Sequence, residues 1–241
     1  MKIDISEIAE AFPEFRVAAV VATGLTIPAA RPAELASIIR EREAACRERW
    51  GGRELSDISG IAVWRSAYRA FGVKKTSYRC SVERLVKNVL AERSLPEING
   101  FVDAYNAVSL AHVMPLGADD LGKVSGDLAF RYSRPGDTFF DMSAEAGAGE
   151  EGGGPQIDPP KPGEVVYADA EKVLCRRWNW RQDARSLVGP ETTSAIVTVQ
   201  ANGEGDLDAA LRDLEDSVVR FCGGSVRVAI ADRKTPVSAI L

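Results

Sequence analysis

A single histidine, His112, serves the whole chain of 241 residues. That excludes histidine-rich metal sites outright. A Ser-His-Asp or Cys-His centre would have to use that one residue. His112 sits among Leu110, Ala111, Val113 and Met114, so a packed or surface imidazole is expected over a catalytic one. Cysteine is also sparse. Cys46, Cys80, Cys175 and Cys222 are far apart and form no C-x-x-C pair. Neither a zinc site nor a disulfide scaffold is expected, only reduced and mostly buried thiols. No apolar run approaches the length of a membrane span. The N-terminal MKIDISEIAEAF is acidic and amphipathic, with no signal-peptide pattern, and a cytoplasmic location is expected. No strand-G-x-G-x-x-G-helix order occurs, so no phosphate-binding fingerprint is present and no cofactor is implied. The formal net charge of −5 argues against bulk nucleic-acid affinity, while leaving room for a local basic patch.

The remaining composition, 45% hydrophobic and 27% charged, is that of an ordinary globular chain large enough for one sizeable core. Phe15-Arg-Val-Ala-Ala-Val-Val-Ala-Thr23 is a continuous apolar run ended by Gly24, which reads as a buried strand. Pro32 opens a helix over 33–50, whose exposed face carries Arg40, Glu41, Arg42, Glu43, Arg47, Glu48 and Arg49. Ser59 is placed to cap a helix with Trp64, Tyr68 and Phe71 at core spacing, and Ser81 to cap the next, over 82–92. Strands are expected within 126–133, 138–142, 164–169, 173–175, 192–200 and 225–231, with a last helix over 207–221. Residues 143–162 are rich in Gly, Ala, Glu and Pro and read as a mobile loop inside a single domain spanning 1–241. Strands and helices alternate without regular βαβ units, so the fold class is α+β, a sheet-rich body with helices packed on it.

Three stretches carry candidate chemistry. In the run Phe101 to Leu110, Asp103, Asn106 and Ser109 recur every three residues and make one polar stripe on a helix. That stripe is read as the solvent face, with the wall of a polar pocket as the alternative. Between Arg65 and Arg84 there are six basic residues against one acidic residue, Glu83. Arg65, Arg69, Lys74, Lys75 and Arg79, interleaved with Tyr68 and Tyr78, suit phosphate contacts and stacking on bases or ribose; a solubilising surface fits equally well. Finally, Trp178 and Trp180 flank Asn179 beside Arg176, Arg177 and Arg181. Aromatic walls with one amide suit a small-molecule or nucleotide pocket. A tryptophan pair in the core beside surface arginines is the competing reading.

VDAYNAVSL followed by PLGADDL resembles the B3/B4 editing domain of the bacterial phenylalanyl-tRNA synthetase β chain, and more closely the free-standing B3/B4 tRNA-binding proteins. Trp64-Arg-Ser-Ala-Tyr-Arg-Ala-Phe-Gly72, Gly163-Glu-Val-Val-Tyr-Ala-Asp169, Cys175-Arg-Arg-Trp-Asn-Trp-Arg181 and Pro190-Glu-Thr-Thr193 agree with it in order and spacing, over roughly residues 15–230. The resemblance implies a three-layer arrangement with a β-sandwich core and packed helices. It implies tRNA as the partner, and it decides the basic stretch in favour of RNA.

The synthetase domain hydrolyses tRNA wrongly charged with tyrosine. Attack of water on so activated an ester needs a positioned water and oxyanion donors, not a protein nucleophile. The synthetase's pocket histidine lies in Pro-x-His-Ala-Phe-Asp, which here reads Pro115-Leu-Gly-Ala-Asp-Asp120, with Gly117 in the histidine's place. The segment carrying its pocket glutamate is replaced by Trp178-Asn-Trp-Arg-Gln-Asp183, and only Glu191-Thr192 keeps the pattern. Tyrosine specificity therefore does not carry over. The expected pocket comprises Asn106, Pro115, Gly117, Ala118, Trp178, Trp180, Arg181 and Thr192, with Asn179 and Glu191 as catalytic residues. The leading expectation is a stand-alone factor that hydrolyses mischarged aminoacyl-tRNA. The alternatives are a non-catalytic module for tRNA or an amino-acid-like ligand, and a degenerate structural domain.

Overall fold

The computed structural model describes residues 1–74, 77–142 and 158–240. Within them the chain forms β1 (Lys2–Asp4), β2 (Phe15–Thr23), α1 (Ala33–Trp50), α2 (Ser59–Ala70), α3 (Ser81–Leu90) and α4 (Gly100–His112). There follow β3 (Leu116–Asp120), β4 (Leu128–Tyr132), β5 (Val165–Ala168), β6 (Val173–Arg176) and β7 (Arg181–Gln182). The last elements are β8 (Ser194–Asn202), α5 (Leu207–Cys222), β9 (Ser225–Ala231) and β10 (Val237–Ala239).

The strands form two sheets, one ordered β10-β1-β4-β5-β6-β7 and the other β3-β8-β2-β9. Alternation along β2 sorts its side chains between two cores. Val17, Ala19 and Val21 join the core shared with the six-stranded sheet, in which Phe130, Val165 and Leu174 are buried. Ala18, Val20 and Ala22 face α4 and α5, whose Phe101, Tyr105, Leu214 and Val218 share the second core. β2 is apolar on both faces because both are covered. The result is α+β in three layers: helices, a four-stranded sheet, and a six-stranded sheet stacked on it as a sandwich.

Several local expectations are corrected. α2 and α3 begin at Ser59 and Ser81 themselves, and neither serine caps its helix through its side chain. Asn99 does cap α4, accepting from the N–H groups of Phe101 and Val102 at 3.1 and 2.9 Å. Glu43 is buried, not exposed, because its Oε1 accepts the Leu95 N–H at 2.7 Å. Asp103 and Ser109 are buried too, so the polar stripe on α4 is not a solvent face. Asp103 accepts from Arg31 at 2.8 Å, and Ser109 donates to the Met114 carbonyl at 2.6 Å. Residues 138–142 form no named strand, only an isolated bridge from Asp141 to Asp183. Of the expected loop over 143–162, residues 143–157 lie outside the described residues.

Candidate functional site

β3 is an edge strand, paired only with β8, and its alternation sets the site. Leu116 and Ala118 belong to the core beneath α4 and α5. Asp119 therefore points to the opposite face, the side of β8 that carries Thr198 and Gln200. On that side the two sheets part around a cavity of about 220 Å³. Tyr105 and Asn106 of α4, Ser81 and Arg84 of α3, and Tyr167 of β5 also line it. Gly117 opens onto empty space, with nothing within 4 Å of where a Cβ would stand.

The turn between β6 and β7 closes one wall. Arg177 and Trp178 both adopt positive φ, 46° and 67°. For residues other than glycine this costs on the order of 1–3 kcal/mol each and persists only where the surroundings impose it. Here the Arg177 N–H donates to Glu164 Oε1 at 2.9 Å and the Trp178 N–H to the Val165 carbonyl at 2.6 Å. Glu164 is itself locked by Arg176, which donates to both its oxygens at 2.9 Å in the interior. Trp178 turns inward, fully buried and edge-on to Phe12, Phe15 and Trp64. Trp180 turns toward the cavity. The Arg177 guanidinium lies between Tyr78 and Trp180, 3.7 and 4.2 Å from the ring centroids.

Asn179 follows, buried, with its amide facing the cavity. Its Oδ1 accepts from Tyr68 Oη at 2.8 Å and its Nδ2 donates to Gln200 Oε1 at 3.0 Å. Gln200 Nε2 donates to Thr198 Oγ1 at 3.2 Å. An amide nitrogen has two N–H bonds, so Asn179 and Gln200 each keep one with no protein partner among the described residues.

Asp119 brings a carboxyl to the cavity. Its Oδ1 accepts from Ser186 Oγ at 2.6 Å and from Gln182 Nε2 at 2.9 Å. Burial pushes its carboxyl up to about 7, against the opposing pull of those two hydrogen bonds and of the Lys172 charge. Cys175, also on the wall, is pushed upward by burial and then by the Asp119 charge, so it stays a thiol and not a nucleophile. Burial likewise raises Tyr105 and Tyr167, which remain hydroxyls. The Tyr167 Oη is buried without a hydrogen-bond partner among the described residues. Arg84 is held below its usual value by desolvation and, next, by the charge of Arg181.

The cavity thus unites Asn106, Gly117, Ala118, Asn179, Trp180 and Arg181. Trp178 is not on its wall, because the left-handed turn points the indole into the core. Pro115 is buried outside the lining. Glu191 and Thr192 also stand apart. Glu191 is exposed near Lys123, while Thr192 donates to Asp120 Oδ2 at 2.7 Å. The separation follows from alternation, since Asp120 leaves β3 on the face opposite Asp119. His112 bonds to Asp213 at 2.9 Å, between α4 and α5. Of the basic residues, Arg65, Arg69 and Lys74 line a second cleft. Arg79 pairs with Glu83 at 3.0 Å, and Lys75 lies outside the described residues. Asp119, Gln200 and Tyr167 were not singled out from the sequence. The available signal for Gln200 was a polar residue inside an apolar strand, and for Asp119 an acid two residues after Gly117.

A mostly apolar cavity with two spare amide donors and one buried carboxyl has the make-up of a ligand pocket, set between stacked sheets of an α+β sandwich. The family model of the B3/4 domain matches residues 63–214, and the chain belongs to that family. Among solved structures, an N-terminal fragment of the phenylalanyl-tRNA synthetase β-subunit from Pyrococcus horikoshii is similar at 11% identity and a TM-score of 0.40. The match covers 93% of this chain and 50% of that one, so the chain spans about half the length of that fragment. No curated protein matches the chain.

Proposed function

We propose that the chain hydrolyses the ester of mischarged aminoacyl-tRNA, with the aminoacyl end seated in the inter-sheet cavity. One observation carries the reading: a buried carboxyl, Asp119, shares a cavity with two amides that each keep one N–H without a protein partner among the described residues. In its ionised form Asp119 takes a proton from a water molecule. The water oxygen bonds to the ester carbonyl carbon, and the oxyanion accepts the N–H groups of Asn179 and Gln200. The carbon–oxygen bond to the ribose then breaks, Asp119 returns its proton to the ribose oxygen, and free amino acid and tRNA leave. Trp180 and Tyr105 supply apolar walls for the side chain, and Arg84 supplies positive charge near the terminal nucleotide, while Arg181 is already paired with Asp141 at 2.6 Å. Glu191, exposed and outside the cavity, has no place in this scheme.

Gly117, standing where the synthetase's histidine would be, favours a second reading, a binding module that holds the same end without cleaving it. A deacylation screen over a panel of mischarged tRNAs separates the two. Hydrolysis by the wild type that disappears in Asp119→Asn supports the first. Retained binding without hydrolysis of any tRNA supports the second.

A further inference from the structure

Beside the cavity lies a second cleft, of about 120 Å³, between α2, the segment after it and the start of α3. Arg65, Arg69, Lys74 and Tyr78 line it, with Glu83 at its edge. Glu83 is already committed: Arg65 donates to both its oxygens, at 2.7 and 3.2 Å, and Arg79 approaches at 3.0 Å. One carboxylate against two guanidiniums leaves this group positive. Arg69 and Lys74, both exposed, add two more cations with no ion-pair partner among the described residues. In a chain of net charge −5 this is a local excess of positive charge aimed into a concave surface.

The cleft and the cavity share a wall. Tyr68 lines the cleft, and its Oη bonds to Asn179, which lines the cavity. Tyr78 lines the cleft and stands edge-on to Trp180 of the cavity, ring centroids 5.1 Å apart. Cys80 lines the cleft and its neighbour Ser81 the cavity. Tyr78 and Trp180 thus stand at the boundary between the basic cleft and the cavity.

We propose that this cleft is the phosphodiester site for the nucleotides just upstream of the 3′ end held in the cavity. The inference rests on the reading of the cavity as the seat of an RNA 3′ end, but not on hydrolysis there. Guanidinium forks and an ammonium suit phosphate oxygens, and neutralising them releases counterions, so binding here falls with salt.

The test compares adenosine with the CCA trinucleotide, which adds two phosphodiesters to the same terminal nucleoside. Affinities are read by calorimetry at two or more salt concentrations. The wild type is expected to bind the trinucleotide at least tenfold more tightly than adenosine, with an advantage that shrinks as salt rises. Arg69→Ala/Lys74→Ala is expected to cut that advantage to threefold or less. Arg227→Ala, the same kind of charge loss at an exposed position on β9, is expected to keep it. No advantage in the wild type overturns the proposal, as does an advantage kept in the double variant or lost equally in Arg227→Ala. Inorganic phosphate that binds the wild type but not the double variant, without any trinucleotide advantage, marks a free-anion site and overturns it too. If the advantage behaves as expected while no mischarged tRNA is deacylated, the cleft stands and the hydrolytic reading falls.

Discussion

The Tyr68 hydroxyl donates to Asn179 Oδ1 at 2.8 Å, and that one bond orients the cavity amide. With Oδ1 engaged, Nδ2 must face Gln200, and its second N–H is left for a ligand. Removing the tyrosine hydroxyl frees the amide to flip and present an acceptor where a developing oxyanion needs a donor. Tyr68→Phe is therefore expected to lower the single-turnover rate of deacylation about fivefold with little change in tRNA affinity, since one net hydrogen bond is worth about 1 kcal/mol. An equal loss of tRNA affinity would mark Tyr68 as merely structural.

Asn179→Ala removes the donor itself. The expected cost is about 2–4 kcal/mol of transition-state stabilisation, as for one lost oxyanion donor. The structure adds a stability cost of about 1–3 kcal/mol, because Tyr68 Oη and Gln200 Oε1 lose their partner in the interior. Urea unfolding beside single-turnover kinetics measures both. A wild-type rate in the folded variant removes Asn179 from the mechanism.

The Asp119 carboxyl, raised to about 7, predicts a pH profile. As a base it works only when ionised, so the deacylation rate should climb about tenfold per pH unit below 7 and level off above it. Spontaneous ester hydrolysis, measured without protein, is subtracted at each pH. A profile flat from pH 5.5 to 8 excludes this carboxyl as the base.

The same group makes a stability prediction of opposite sense. Its folded value lies above its ordinary 3.8, so the folded state keeps a proton the unfolded chain has released. Stability is thus lost as pH rises from about 4 through 7, by on the order of 4 kcal/mol at the upper end. Asp119→Asn removes that penalty while keeping the shape. It should raise Tm more at pH 8 than at pH 5, while abolishing hydrolysis. A larger gain at pH 5 reverses the assigned sign.

Trp178 is predicted to serve folding and not ligand binding. It is fully buried and meets Phe12, Phe15 and Trp64 edge-on with centroids 4.6 to 5.4 Å apart. Trp178→Ala should cost about 3–5 kcal/mol of stability. Trp180→Ala should cost far less and weaken ligand binding instead. Comparing the two variants by denaturation and by affinity for CCA distinguishes these roles.

Much of the scaffold was legible because burial writes itself into pattern. The unbroken run of β2, the amphipathic faces of α2 and α5 and the hairpin of β5 and β6 each followed from local periodicity. The site was legible only in part. Asn106, Gly117, Ala118, Asn179, Trp180 and Arg181 lie on one cavity, whereas Pro115, Trp178, Glu191 and Thr192 do not. Two consecutive left-handed residues without glycine, Arg177 and Trp178, cannot be read from composition, and they decide which tryptophan meets the cavity. Glu191 stands apart because it lies in the turn before β8, beside Lys123. The serine caps failed too: Ser81 begins its helix, and its N–H bonds across the molecule to the Asn179 carbonyl at 2.9 Å.

Asp119 and Asp120 are chemically identical neighbours with unrelated fates. The first faces a cavity and titrates near neutrality; the second receives Thr192, the Gly122 N–H and Lys123. Only the odd or even count along β3 separates them. A single-residue insertion or deletion between Gly117 and Asp119 would therefore exchange the two acids without altering which residue types the chain contains. Relatives aligned only by their acidic pair can thus hide an inverted site, and the strand's parity against β8 has to be fixed before a carboxylate is matched from one B3/4 chain to another.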